Sequence, residues 1–339
     1  MSTDFILFKE TQFMGEVILN RPKVYNALNH DMILALYQKL RVWEKAPHIK
    51  LILISSSSDK AFCAGGDIKA VYEKGMAHHE ELHQFFQSEY RLNHLIYHYP
   101  KPYIAFLDGI TMGGGAGISI HGSHRIATEN FSFAMPETAI GFYPDVGSSY
   151  FLSRCVDKTG LYLGLTGARI HAAQTCFLKL TDYFFRNISL EKIKSALFSL
   201  ESFSNHSIRE CLLPFHHEEK LTDFPLEEIQ RCFSASSVEE IFENLKTENT
   251  VWAKVTLKNL EKSSPLSLKT TFEQLQKAKN LDFSNCLKME STLTKNFLKD
   301  PNFYEGIRAL LIDKDQLPKW EPNTLALVSE KQINHFFDF

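Results

Sequence analysis

The chain has 339 residues, 44% of them hydrophobic, which is enough for a substantial core in one large domain or two. A formal net charge of −3 gives no general attraction for nucleic acid or an anionic membrane, and neither is an expected partner. No apolar run approaches the ~18 residues of a membrane span. The opening MSTDFILFKETQ has neither the pattern of a secretory leader nor the Arg-rich, acid-poor pattern of a mitochondrial presequence, so the expectation is a cytoplasmic protein beginning near Met1.

In chain order, MGEVILN at 14–20 ends in an apolar run that predicts a strand, stopped by Arg21-Pro22. Asn29 is placed to cap a helix in which Met32, Ile33, Leu36, Leu40 and Trp43 recur at three- and four-residue intervals. Leu51 to Ile54 predicts a short buried strand, and SSSSDK a loop. AFCAGGDIKA reads as an apolar turn closed by Gly65-Gly66, with Asp67 as the cap of a following helix. Residues 80–99 are helical in pattern, Tyr103 to Leu107 is a buried strand, and Ser123 to Thr128 and Phe131 to Phe133 are two more. This alternation predicts an α/β core with crossover connections over residues 1–205. Beyond it strands become scarce, and charged helical segments at 226–232, 237–246, 249–262 and 268–279 predict a mainly helical region over 206–339.

The centre of the sequence is Gly109 to Gly147. It opens on Gly113-Gly114-Gly115, as a chain does when bare backbone must approach a ligand and then start a helix with free N–H groups. Two carboxylates follow, Glu137 and Asp145, among the breakers Pro136, Gly141 and Pro144. The six cysteines show no CxxC spacing and read as reduced thiols. The fourteen histidines, His78-His79 and His216-His217 included, show no HExxH spacing, so no metal is expected.

NRPKVYNALN, AFCAGGDI, GITMGGGAGISIHG and FAMPETAIGFYPDVG resemble, in this order, the motifs of the crotonase (enoyl-CoA hydratase/isomerase) superfamily. SPLSLKTTFEQL and FYEGIRALLIDKDQLPKW extend the resemblance toward its 3-hydroxyisobutyryl-CoA hydrolase branch. The resemblance implies a spiral of ββα units that binds an acyl-CoA substrate, with coenzyme A part of the substrate and no separate cofactor. It implies an oxyanion hole from the N–H groups of Gly66 and Gly114, and substrate-binding roles for Gly114, Glu89, Glu137 and Asp145. It assigns catalysis to Glu137 and Asp145. A hydratase of this superfamily has a second glutamate where this chain has Gly117, which argues for thioester hydrolysis over hydration. Ser148 and Ser153 depart from the branch, which usually has glycine and often proline there. Alternatives are another lyase, hydratase or isomerase of the superfamily, or a non-catalytic ribosome-associated relative. A homo-oligomer is a possible assembly.

Overall fold

The computed structural model describes residues 4–221 and 223–338. Its strands are β1 Ile6–Glu10, β2 Met14–Leu19, β3 Leu51–Ser56, β4 Ala61–Cys63, β5 Tyr103–Leu107, β6 Ile110–Met112, β7 His124–Thr128, β8 Ser132–Ala134, β9 Ile170–His171 and β10 Tyr183–Phe185. One sheet runs β1-β2-β3-β5-β7-β10 and the other β4-β6-β8-β9. β1 and β2 are antiparallel, and the remaining neighbours of the larger sheet are parallel. The spiral lies in this order. β3, β5 and β7 are neighbours in one sheet, the strands that follow them are neighbours in the other, and a helical segment follows each pair.

The described residues fall into two compact units, one drawn from 1–66, 91–133 and 169–222, the other from 67–90, 134–168 and 223–339. The first holds the larger sheet. Its parallel strands are buried along their length, as crossover connections require. Leu51, Leu53, Ile104, Phe106, Tyr183 and Phe185 share a face at two-residue spacing. The helices Leu190–Phe198 and Asn205–Leu212 cover that face with Ile193, Leu197, Ile208 and Leu212, each pair four residues apart. Ser189 and Ser204 cap these helices. Asn29 likewise caps the helix His30–Lys45, which buries the five apolar residues its spacing identified.

Residues 61–63 are a strand, where the sequence suggested only a turn. Ala61 and Cys63 pair with Ile110 and Thr111, a long-range contact that three residues cannot announce. β1 was also not anticipated; it is an edge strand with one side largely in water. The helix expected after the glycine run is a single turn, Gly114–Gly117, because glycine opposes helix extension.

The second unit is helical apart from Ala134, the last residue of β8. Its helices Leu226–Phe233, Val238–Glu248, Val251–Leu260 and Pro265–Ala278 match the four charged segments read from the sequence. Helix Pro265–Ala278 starts with Pro265 behind the cap Ser264 and is buried over most of its length, including the polar Ser267, Thr270, Thr271 and Gln274. Phe283–Phe297 follows, capped by Asp282.

Asn26 shows how main chain is fixed in the first unit. It is fully buried at φ 57°, and its Nδ2 donates to Ser56 Oγ (2.7 Å), Ala61 O (3.2 Å) and Phe62 O (3.0 Å) while Oδ1 accepts from Arg21 N–H (2.7 Å). Asn26→Ala orphans these groups and keeps an unfavourable backbone angle. The expected loss is about 3 kcal/mol in chemical denaturation; a loss below about 1 kcal/mol would show that Asn26 does not hold β4 in place.

Candidate active site

The paired glycine segments lie side by side in the first unit. Leu28 N–H donates to Gly65 O (2.8 Å), and Leu28 bridges Gly66. A Cβ placed on Gly65, whose φ is +110°, would sit 3.7 Å from the Gly114 nitrogen. At Gly115 a Cβ would come within 2.2 Å of Cys63 O, so no side chain fits there. Among the described residues no hydrogen bond engages the N–H of Gly66 or of Gly114. Gly114 is the first residue of its one-turn helix, where N–H groups lack intrahelical acceptors. The two main-chain donors singled out in the sequence are therefore open. Asp67 caps the helix Ile68–Lys74 by accepting from Ala70 N–H (3.4 Å).

The second unit gathers the three carboxylates. Glu89 lies on the helix His79–Tyr97, Glu137 begins the 3-10 turn Glu137–Ile140 behind Pro136, and Asp145 sits in the PDVG turn. All three are buried, and among the described residues none is in an ion pair. Among the described residues Glu137 Oε2 and Glu89 Oε1 have no hydrogen-bond partner. Asp145 Oδ2 accepts from the Tyr90 hydroxyl at 2.8 Å, and that oxygen is 2.6 Å from Thr294 Oγ1. Thr294 Oγ1 is also 2.6 Å from Tyr143 Oη, which donates to the main-chain carbonyl of Glu290.

Burial sets the charge state of this cluster. It pushes Glu137 well above the usual carboxylate range, and the charges of Asp145 and then Glu89 push it further. Burial and then Asp145 do the same to Glu89. Asp145 is pushed up to about 7 by burial, against the Tyr90 bond and its own main-chain contact, which pull it down. Such a cluster titrates as a unit and holds protons near neutral pH. One group ready to give a proton, beside another with an unpartnered oxygen, suits acid–base or nucleophilic work on a substrate that brings no metal. Among the described residues no group of three or more His, Cys, Asp or Glu is placed to hold a metal ion.

The turn that carries Asp145 is strained. Val146 has φ 55°, rare for a β-branched residue and costing about 1–3 kcal/mol. Glu290 holds the turn on one side, its Oε2 accepting from Gly147 N–H (2.6 Å) and Oε1 from Ser149 N–H (2.9 Å). Gln274 holds it on another, with Nε2 donating to Pro144 O (2.6 Å) and Ser149 Oγ (2.7 Å). Burial pushes Glu290 up to about 8, while the Ser149 and Gly147 contacts pull it down. The sequence did not single out Tyr90, Tyr143, Gln274, Glu290 or Thr294. Tyr90 stands four residues after Phe86 and reads as helix core; Glu290 and Thr294 share a helix face only as one more polar i, i+4 pair. Of the two departures from the branch, Ser148 is buried with an unpartnered hydroxyl, and Ser153 donates to Tyr150 O (3.2 Å).

The sequence matches the family model described as enoyl-CoA hydratase/isomerase over residues 14–337. It is 42% identical to the Danio rerio protein named 3-hydroxyisobutyryl-CoA hydrolase, mitochondrial, over 98% of this chain and 89% of that one. Identity to the Homo sapiens protein of the same name is also 42%, over 98% and 88%. Among solved structures, it is similar to a carnitinyl-CoA dehydratase from Mycobacterium thermoresistibile (TM-score 0.92, 32% identity, 99% and 97% covered). It is also similar to an enoyl-CoA hydratase from Rhodobacter sphaeroides (TM-score 0.90, 33% identity, 98% and 97% covered). The relatives' name contradicts the cytoplasmic location expected from the opening residues. That expectation rested on the charge pattern of a dozen residues, and a missing leader pattern there is no evidence of compartment.

The shifted acidity of Asp145 links stability to pH. Its folded value of about 7 lies above the ordinary 3.8, so the folded state binds this proton more tightly than the unfolded chain does. The stability this confers is complete below about pH 4 and is lost as pH rises through about 7. Asp145→Asn keeps an acceptor for Tyr90 and carries no charge. It should match the parent near pH 4 and gain on it progressively up to pH 7, by at most ~4 kcal/mol. Parallel denaturation curves for the two proteins across that range would contradict the buried, uncompensated state of Asp145.

Proposed function

The chain belongs to the enoyl-CoA hydratase/isomerase family, and within it we propose that it is an acyl-CoA thioester hydrolase. Its substrate is 3-hydroxyisobutyryl-CoA or a close β-hydroxyacyl-CoA, and its products are the hydroxy acid and coenzyme A, as in valine breakdown. The observation that carries the reading is the buried set Glu137 and Asp145, one with an oxygen unpartnered among the described residues and the other with its pKa raised to about 7. Near-full-length identity to proteins named as such hydrolases supports it. The hydratase and dehydratase names of the structural neighbours favour a second reading, water addition to a C=C bond. Against it stands Gly117, which offers no side chain where the resemblance expects the second glutamate of a hydratase.

In the proposed reaction the Glu137 carboxylate attacks the thioester carbonyl carbon. The oxygen that gains charge accepts the N–H groups of Gly66 and Gly114, an interaction whose loss typically costs about 3 kcal/mol of barrier. Collapse breaks the C–S bond, and the departing thiolate takes a proton from Asp145. Water then opens the mixed anhydride, freeing the acid and Glu137 and returning a proton to Asp145. Before this Asp145 orients the substrate hydroxyl, and Glu89 lines the acyl pocket. Coenzyme A is part of the substrate, and the route uses no other cofactor. The attack requires Glu137 charged while Asp145 keeps its proton. Burial, more than any neighbouring charge, opposes charge on Glu137, so this is a minority state of the coupled cluster.

Free-thiol release from a panel of acyl-CoA thioesters tests the reading. The β-hydroxyacyl thioester should be the best substrate, and Glu137→Gln and Asp145→Asn should each lower turnover by roughly 10²- to 10⁴-fold with the fold intact. Near-parental turnover in either variant would refute that residue's role, and enoyl-CoA hydration without thiol release would favour the second reading. Multiple turnovers in heavy-oxygen water test the covalent route: label should enter the Glu137 peptide. An unlabelled peptide together with no hydroxylamine-trapped acyl-enzyme would assign Glu137 as general base to an attacking water.

A further inference from the structure

The PDVG turn places Asp145 next to a residue, Val146, whose backbone angle a branched side chain resists. Such a conformation persists only where the surroundings over-determine it. Helix Phe283–Phe297 supplies the strongest part of that determination. Glu290 is fully buried and 143 residues from Gly147 in sequence, and it spends each carboxylate oxygen on a main-chain N–H of the turn, Gly147 at 2.6 Å and Ser149 at 2.9 Å. No cation among the described residues pairs with it. One turn further along the same helix, Thr294 Oγ1 lies 2.6 Å from the Tyr90 hydroxyl that holds Asp145 Oδ2. One helix face therefore reaches the Asp145 turn twice, through the main chain of Gly147 and Ser149 and, by way of the Tyr90 hydroxyl, through the Asp145 carboxylate.

We propose that Glu290 is a positioning residue. Its two carboxyl oxygens clamp the N–H groups of Gly147 and Ser149 and so fix the strained turn that aims Asp145 at the substrate hydroxyl. The inference rests on the role given to Asp145 above. Isolated burial of a carboxylate is unfavourable, and a glutamine there cannot reproduce the clamp, because its NH₂ group turns a donor toward one of the two N–H groups. The groups that face Asp145 are Glu89 and Tyr90 from the helix His79–Tyr97, Glu137 from the 3-10 turn, Tyr143 before the turn, and Glu290 and Thr294 from the clamping helix. Gln274 grips the same turn from the helix Pro265–Ala278.

The test is a double-mutant cycle of Glu290→Gln with Asp145→Asn, read with a 3-hydroxyisobutyryl thioester and with the isobutyryl thioester that lacks the hydroxyl. Glu290→Gln should lower kcat on the hydroxyacyl substrate about 10- to 100-fold with KM nearly unchanged, and should lower the isobutyryl rate by a clearly smaller factor, because that substrate uses Asp145 only to protonate the departing thiolate. In the Asp145→Asn background it should cost no more than ~3-fold on either substrate. Equal losses on both substrates, or effects that multiply in the double variant, would overturn the proposal. Hydrogen exchange supplies a readout independent of turnover. The amides of Gly147 and Ser149 should lose protection in Glu290→Gln while the amides of β3 and β5 keep theirs. Unchanged protection at the turn would overturn the clamp even if the parent protein releases no thiol, an outcome that would defeat the functional reading alone. If Glu290→Gln does not fold, Gln274→Met tests the same turn from its other side and should give the same substrate-selective loss; a uniform loss there would overturn the proposal.

Discussion

Three carboxyl groups packed out of water without a cation beside them set the terms for the second unit. Burying an unpaired charge is among the most expensive things a fold can do, so Glu89, Glu137 and Asp145 respond by holding protons. The surroundings offset part of the cost with neutral donors. Tyr90 reaches Asp145, and Thr294 and Tyr143 extend that contact into a chain of hydroxyls ending on a main-chain carbonyl. A lysine or arginine in their place would leave the carboxylates permanently charged and engaged. Stability and reactivity compete here for the same side chains.

The first unit meets a different constraint, the approach of one main chain to another. Its successive spiral turns place Cys63 O where a Cβ of residue 115 would have to be. β4 pairs in parallel with β6, and among the described residues no hydrogen bond engages the N–H groups of Gly66 and Gly114 that follow these strands; Asn26 fixes the neighbouring loop through bonds to Ala61 O and Phe62 O. The donors are main-chain groups held by sheet geometry, so they need no side chain to aim them.

Much of this was legible in the residues. The helix His30–Lys45 and its buried face follow from spacing and the Asn29 cap, and the strands β2, β3, β5 and β7 from apolar runs between breakers. The four helices from Leu226 to Ala278 follow from charged periodic segments. Illegible features share one cause, dependence on partners far along the chain. β4 is three residues long and exists because β6 pairs with it. Glu290 looks like any polar residue on an amphipathic helix until the turn it grips is seen. The helix expected after the glycine run is there, yet it stops after one turn because the residues that open the backbone also fail to propagate a helix. The opening residues gave a wrong compartment, because sorting is read by receptors and not by the physics of packing.

Each compact unit is assembled from three separate stretches of the chain, and this has a consequence for synthesis. A ribosome delivers Gly147 143 residues before it delivers Glu290. At about 5–20 residues per second that is roughly 7 to 29 s during which the Asp145 turn exists without the carboxylate that grips it. The sheet of the first unit has all its strands by Phe185 and can consolidate during that interval. The nascent chain thus passes through a stage with an organised sheet and an unfinished turn, and the C-terminal helices act as the last step of maturation. A chain cut short before residue 290 would keep the Asp145 turn and lack its clamp.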